Sequence, residues 1–169
     1  MLILIIGGAA SGKSAYAEER LLGFPDPRYY IATMRPYGEE GLARIARHRE
    51  LRAGKGFTTI ERETDVADID IPANASALLE DIGNLVANEM FTEDGRMRDV
   101  TGKVVGDVLS LAARVANLII VTNEVGAGAE AHDGSTRSYI EAMGAVNARL
   151  AAETDEVCEV IVGIPVKLK

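Results

Sequence analysis

Short runs of consecutive apolar residues alternate along the chain with longer segments in which apolar residues recur every three or four positions. The short runs predict β-strands at residues 2–6, 29–32, 58–61, 76–80, 118–122, 157–162 and 166–169. The longer segments predict helices at residues 13–22, 39–52, 82–91, 100–116 and 136–153. The first, fourth and fifth runs are almost wholly apolar, as in parallel strands that are buried on both faces. The pattern therefore predicts an α/β fold with a doubly wound, mainly parallel sheet flanked by helices.

The end of the chain differs from this alternation. Only Gly163-Ile164-Pro165 separates the last two strand runs, which predicts a C-terminal antiparallel hairpin at one edge of the sheet. The chain contains no linker, repeat or low-complexity tract, and 169 residues suit one domain. We therefore expect residues 1–169 to form a single domain.

A glycine-rich motif follows the first predicted strand and precedes the first predicted helix. It fits the pattern G-x-x-x-x-G-K-[ST] of a phosphate-binding loop in its usual strand–loop–helix context, and we call residues 7–14 the P-loop. We expect its backbone N–H groups to surround nucleotide phosphates, Lys13 to reach the β- and γ-oxygens, and Ser14 to coordinate Mg²⁺. Because glycine tolerates positive φ and close approach, we expect phosphate contact to require Gly7 and Gly12. The candidate nucleotide-binding residues of the motif are Gly7, Gly8, Ala9, Ala10, Ser11, Gly12, Lys13 and Ser14.

Polar residues end three other predicted strands, and ligands of open α/β sheets bind at the carboxyl ends of strands. Thr33, the pair Glu80-Asp81 and the pair Asn123-Glu124 should therefore lie on one rim with the P-loop. Because side chains alternate along a strand, only one acid of the first pair can face the nucleotide. We assign Glu80 to the Mg²⁺ shell and Asp81 to a helix cap or a solvated strand end. Asn123 and Glu124 either line the substrate side of the cleft or form an ordinary turn.

Composition and charge limit the classes of function. A net charge of −8 argues against broad nucleic-acid binding, so we expect no nucleic-acid partner. The single cysteine, Cys158, excludes an intrachain disulfide, and its apolar surroundings favour a buried core residue. No apolar run approaches the length of a membrane span, and Met1 is followed directly by a strand rather than by a signal sequence. We expect a cytoplasmic protein.

His48 is one of two histidines and lies in the helical stretch Arg44-Ile45-Ala46-Arg47-His48-Arg49. A histidine on a basic helix is usually a surface residue. The neighbouring arginines, Arg49 among them, also permit another interpretation, because they favour a neutral, nucleophilic imidazole and can stabilise charge on an attacked phosphate.

Several stretches together resemble the bifunctional adenosylcobinamide kinase/adenosylcobinamide-phosphate guanylyltransferase family of cobalamin biosynthesis. The P-loop pattern is generic, but its combination with Ile-Ala-Thr, Arg-Ile-x-x-His and Thr-Asn-Glu-Val-Gly is much more specific. The stretches are residues 3–14, 30–33, 43–49, 78–80 with Asn88, 121–128, then Arg137, Gly144 and Asn147, and residues 151–169. They lie in order across nearly the whole chain.

The resemblance implies two transfers to one substrate. The family phosphorylates the aminopropanol hydroxyl of adenosylcobinamide with a nucleoside triphosphate, then takes GMP from GTP through a guanylylated histidine to give adenosylcobinamide-GDP. The family's histidine falls on His48. Thr33, Arg49 and Glu80 join the P-loop residues as candidate nucleotide contacts. The resemblance also implies Mg²⁺, GTP and/or ATP as substrates, and a homotrimer with its sites near subunit boundaries.

Two other functions remain open at this stage. One is a P-loop kinase with a single activity, acting on adenosylcobinamide or another small alcohol. The other is a nucleotide-dependent switch or binding module, which we favour less because the chain carries no recognisable guanine-reading motif of the switch-GTPase kind.

Overall fold

The fold is built on one seven-stranded sheet. A computed structural model describes residues 1–36, 38, 41, 46–47, 50, 54–92, 96–125 and 134–169. The strands are β1 (Leu2–Gly7), β2 (Arg28–Ala32), β3 (Thr58–Glu61), β4 (Ser76–Glu80), β5 (Asn117–Asn123), β6 (Glu156–Ile161) and β7 (Ile164–Lys167). Their order across the sheet is β3-β2-β4-β5-β1-β6-β7. Every neighbouring pair is parallel except β6–β7, so the predicted parallel sheet with an antiparallel C-terminal edge is confirmed.

Four helices lie within the described residues. They are α1 (Lys13–Leu22), α2 (Ile82–Met90), α3 (Thr101–Arg114) and α4 (Gly134–Glu153), with a short 3₁₀ turn at Val66–Asp68. Each of these helices and strands has a sequence-predicted counterpart whose ends agree to within two residues. The helix predicted at residues 39–52 falls largely outside the described residues. No helix among the described residues has both the length and the apolar character needed to cross a membrane.

The helices cover both faces of the sheet because successive residues of each strand point to opposite sides. Ile3 and Ile5 of β1 belong to the buried cluster that includes Leu21 of α1. Leu4, between them, belongs to the larger cluster on the other face, with residues of α2, α3 and α4. Cys158 is also buried, as its apolar run predicts. This layering leaves the carboxyl ends of the central strands as an edge on which loops and helix N-termini meet.

The C-terminal hairpin lies directly behind the P-loop. Val162 and Gly163 connect β6 to β7, with φ angles of 45° and 82°. Positive φ at both central residues is the pattern of a type I′ turn, which matches the twist of paired strands. The N–H of Gly163 donates a hydrogen bond of 2.7 Å to the carbonyl of Ser11. The turn therefore supports the P-loop through a backbone hydrogen bond.

Candidate functional site

The two glycines of the P-loop motif are needed for different reasons. Gly12 precedes α1 with φ at +92°, a conformation that L side chains rarely adopt. At Gly7, a Cβ atom would lie 2.6 Å from Ser11 Oγ and 2.7 Å from the carbonyl oxygen of Val160. The sequence predicts phosphate proximity as the reason for both glycines, but at Gly7 the requirement comes from the protein's own atoms. The tight packing fixes the strand–loop junction before any ligand binds.

The functional side chains of the P-loop face the interior of the site. Lys13 is only 7% exposed, and its Nζ donates to the carbonyl of Gly8 at 3.0 Å. The ammonium therefore lies across the loop, where phosphate oxygens can compete with this carbonyl for its protons. Ser14, one residue further along α1, donates its hydroxyl proton to Glu80 Oε1 at 2.6 Å. The P-loop and the end of β4 are thus in direct contact, as the strand order requires.

The Glu80 carboxyl group is buried and incompletely paired. Its Oε2 atom is shielded from solvent and has no hydrogen-bond partner among the described residues. Burial raises the pKa of Glu80 to about 7, against the lowering effect of the Ser14 hydrogen bond and with a further increase from the Asp81 charge. An unpaired buried oxygen beside a serine hydroxyl is a suitable pair of hard oxygen ligands for Mg²⁺. The residues present therefore fit the ion that the motif predicts.

Asp81 takes the role of helix cap, as predicted. Its Oδ1 accepts a 2.7 Å hydrogen bond from the N–H of Asn84 at the start of α2. Thr33 is fully buried, and its hydroxyl accepts from the N–H of Asp81 and lies within bonding distance of the carbonyls of Glu80 and Asp81. These contacts join the ends of β2 and β4. The nucleotide contact assigned to Thr33 stays a prediction.

The Asn123-Glu124 pair reaches the same rim. Asn123 Nδ2 donates to Asp81 Oδ2 at 3.4 Å, and the Asn123 carbonyl accepts a 3.1 Å bond from the side chain of Asn147. The N–H of Glu124 donates to the carbonyl of Gly7, while its side chain is exposed. Asn123 therefore faces the site, whereas the contribution of Glu124 is a backbone bond to the P-loop.

These residues surround a cavity of about 400 Å³. The P-loop lines one part through Ala9, Ala10, Lys13 and Ser14. A second set of lining residues comes from three other elements. Gly83 and Asn84 come from the start of α2, Tyr139 from the first half of α4, and Asn123 from the end of β5. Of these four, only Asn123 is among the predicted site residues, because no motif marks helix residues whose approach to a site depends on how helices pack.

Tyr139 is the most prominent residue that sequence reasoning missed. Its hydroxyl donates to the carbonyl of Gly83 at 3.2 Å. Burial, and secondarily the charge of Asp81, raise the pKa of Tyr139. The side chain therefore stays a neutral hydroxyl near pH 7 and presents its oxygen lone pairs to the cavity.

Two predicted site residues lie outside the described residues. They are His48, the candidate nucleophile, and Arg49 beside it. Residues 126–133, which follow the Asn123-Glu124 pair, also lie outside.

A second group of carboxylates elsewhere in the described chain brings together Asp65, Glu89 and Asp107. The Nζ of Lys103 forms ion pairs with all three, at 2.8, 2.6 and 2.7 Å respectively. Its ammonium group holds the three carboxylates together and offsets part of their charge, so this cluster has a structural explanation without a metal ion.

Comparison with known proteins gives consistent matches along the whole chain. Residues 3–168 match the sequence profile of the family described as CobU, cobinamide kinase / cobinamide phosphate guanyltransferase. The chain is 34% identical to the bifunctional adenosylcobalamin biosynthesis protein CobU of Escherichia coli K12 and 35% identical to that of Salmonella typhimurium LT2, with 100% of each chain covered. It is 30% identical to the corresponding protein CobP of Pseudomonas aeruginosa, over 98% of this chain and 96% of the relative.

Proposed function

The chain belongs to the cobinamide kinase / cobinamide phosphate guanyltransferase family and is a transferase, and we propose that it performs both transfers of that family. It phosphorylates adenosylcobinamide with a nucleoside triphosphate, and then transfers GMP from GTP to the product to give adenosylcobinamide-GDP. The observation that carries this proposal is the family match over residues 3–168. The P-loop cavity, with its buried Lys13 and its Ser14–Glu80 contact, supports the first transfer.

In the kinase step, the P-loop N–H groups and Lys13 hold the triphosphate. Ser14 and Glu80 would hold Mg²⁺, which supplies neutralisation of charge on the phosphate oxygens. The acceptor hydroxyl oxygen bonds to the γ-phosphorus, and the bond from that phosphorus to the β-phosphate oxygen breaks. The hydroxyl proton passes to solvent, and a nucleoside diphosphate leaves. The P-loop thus contributes mainly position and charge, which is what phosphoryl transfer requires.

For the second transfer we propose His48 as the nucleophile. Its imidazole nitrogen bonds to the α-phosphorus of GTP, and pyrophosphate leaves. A phosphate oxygen of adenosylcobinamide phosphate then displaces the histidine, which regenerates the enzyme. Dividing one displacement into two through a protein nucleophile is a common way to lower each barrier. Support for His48 comes from its place in the stretch Arg44-Ile45-Ala46-Arg47-His48, and we propose Arg49 as a stabiliser of the phosphate charge.

We propose that residues 1–169 act as one P-loop domain, since a single sheet takes strands from both ends of the chain. We further propose a homotrimer acting in the cytoplasm, where both nucleoside triphosphates are available. Either ATP or GTP suits the kinase step.

Covalent labelling tests the second transfer. Incubated with GTP labelled at the α-phosphate, the wild-type protein should become covalently labelled, because the α-phosphorus remains bonded to the enzyme. The His48→Ala variant should remain unlabelled, since its nucleophile is absent. Replacing the other histidine, His132→Ala, provides the matched control and should leave labelling intact. Equal labelling of the His48→Ala variant and the wild type would eliminate the proposed nucleophile, and kinase turnover without any labelling would indicate a single-activity kinase.

A further inference from the structure

Three polar side chains converge on one point of the cavity wall. If Gly83 carried a Cβ atom, that atom would lie 2.9 Å from Asn123 Nδ2, 3.1 Å from the Tyr139 hydroxyl and 3.2 Å from Asp81 Oδ1. The three polar groups can lie this close to the Gly83 backbone because the residue has no side chain. We call Gly83 together with Asp81, Asn123 and Tyr139 the Gly83 cradle. All four residues line the same cavity as Lys13 and Ser14.

The Gly83 cradle offers both hydrogen-bond donors and hydrogen-bond acceptors. Tyr139 donates its proton to the Gly83 carbonyl, so its oxygen is left to accept. Asn123 Nδ2 has two protons, and the long 3.4 Å contact with Asp81 uses one of them. Within the described residues the other proton is left to donate. The Asp81 carboxylate accepts only. A hydroxyl group, which donates one hydrogen bond and accepts others, matches this set.

Charge is distributed unevenly along the cavity. Among the described residues that line it, Glu61, Glu80 and Asp81 are acidic, and Lys13 of the P-loop alone is cationic. The Gly83 cradle contributes the Asp81 carboxylate instead, which repels phosphate oxygens. Phosphates are therefore favoured beside Lys13, and a neutral group is favoured in the Gly83 cradle. Because acceptor and phosphate must come together in one cavity for transfer, this neutral group is in the right place to be the acceptor.

We propose that the Gly83 cradle binds the acceptor alcohol of the kinase step. The inference rests on the proposed function, and it assigns the hydroxyl-bearing part of the corrinoid to Asp81, Asn123 and Tyr139. The chemical class is a neutral alcohol, because the cradle offers both a donor and acceptors and carries the Asp81 carboxylate.

The test measures initial rates of phosphorylation of adenosylcobinamide, with the acceptor and the nucleoside triphosphate varied separately. Gly83→Ala places a methyl group against Asn123, Tyr139 and Asp81 and forces them apart. It should lower kcat/KM for the acceptor at least tenfold, while KM for the nucleotide changes less than twofold. Tyr139→Phe removes one hydrogen-bonding oxygen, and should lower kcat/KM for the acceptor by about three- to tenfold. The matched control is Gly102→Ala, because Gly102 lies on α3 and a methyl group there would meet no atom within 4 Å, so both parameters should remain at wild-type values.

Thermal unfolding of each variant separates misfolding from a local effect, and Tyr139→Phe keeps the test valid if Gly83→Ala fails to fold. Acceptor kcat/KM within twofold of wild type in both variants would overturn the inference while leaving the proposed function intact. A tenfold rise in KM for the nucleotide or in the Mg²⁺ concentration needed for half-maximal rate, with kcat/KM for the acceptor unchanged, would also overturn it. The cradle would then bind the nucleotide and not the acceptor. If the wild-type protein neither binds nor phosphorylates adenosylcobinamide, the proposed function and the inference fail together.

Discussion

At the scale of single residues, Glu80 combines burial, incomplete pairing and a contact with the P-loop. Its Oε1 accepts from Ser14, and its Oε2 has no partner in the part of the chain that the structure describes. A charged carboxylate in such a place is costly unless a cation or further donors compensate it. This cost of burying the charge raises the pKa of Glu80 to about 7, so the neutral form persists to higher pH than in an exposed glutamate.

Replacing Glu80 should therefore change how stability depends on pH. The pKa of Glu80 rises from 4.5 to about 7 on folding. Between these values the folded protein binds more protons than the unfolded chain, so the free energy of unfolding falls as pH increases. Relative to the Glu80→Gln variant, the free energy of unfolding of the ligand-free wild type should fall by at most about 1.4 kcal/mol per pH unit in this window. Urea unfolding at a series of pH values between 4.5 and 7 measures the difference.

The control for this experiment is Glu153→Gln, which alters an exposed glutamate at the end of α4 and should follow the wild-type pH profile. If the Glu80→Gln and wild-type profiles run parallel throughout the window, Glu80 is not titrating as a buried acid.

At the scale of elements, the turn of the C-terminal hairpin combines strain with a contact to the P-loop. Val162 has a φ of +45°, an unfavourable region for a β-branched residue, and its side chain is 84% exposed. Little packing is therefore available to offset the strain. The adjacent Gly163 can adopt the positive φ that the turn requires, and its N–H donates a hydrogen bond to the carbonyl of Ser11.

Substituting Val162→Asn should stabilise the protein. Asparagine tolerates positive φ much better than valine, and Asn-Gly is the preferred pair for a type I′ turn. We expect the free energy of unfolding to rise by about 0.5–1 kcal/mol, as measured by urea titration. Gly163→Ala provides the opposite control: a methyl group meets no atom there, so its expected destabilisation reflects backbone strain alone. A Val162→Asn variant less stable than wild type would show that Val162 contributes packing that outweighs its strain.

Much of the element pattern could be predicted because central parallel strands must be apolar on both faces. The runs at 58–61 and 76–80 coincide with β3 and β4, and strand alternation correctly separated Glu80, which contacts Ser14, from Asp81, which caps α2. The Gly83 cradle could not be predicted in this way. Tyr139 and Gly83 are 56 residues apart in sequence and belong to different helices, and only the packing of α2 against α4 brings them together.

At the scale of the whole molecule, the strand order accounts for the site. β4 and β1 lie on either side of β5, so the end of β4, the P-loop after β1 and Asn123 at the end of β5 converge on one rim. The hairpin β6–β7 continues the sheet beyond β1 and supports the P-loop from behind. The family match extends over residues 3–168, so nearly the whole sheet belongs to the shared framework.

This framework carries out two separable transfers to one corrinoid. The most direct measurement is mass-spectrometric analysis of adenosylcobinamide incubated with ATP, GTP, Mg²⁺ and the purified protein. Wild type should convert it first to the phosphate and then to adenosylcobinamide-GDP. His48→Ala should stop at the phosphate. Lys13→Ala should slow phosphate formation by about 10²–10³-fold, because a cation that stabilises the transferring group is lost. A corrinoid left unmodified by the wild type, or phosphorylated at the wild-type rate by Lys13→Ala, would contradict the account.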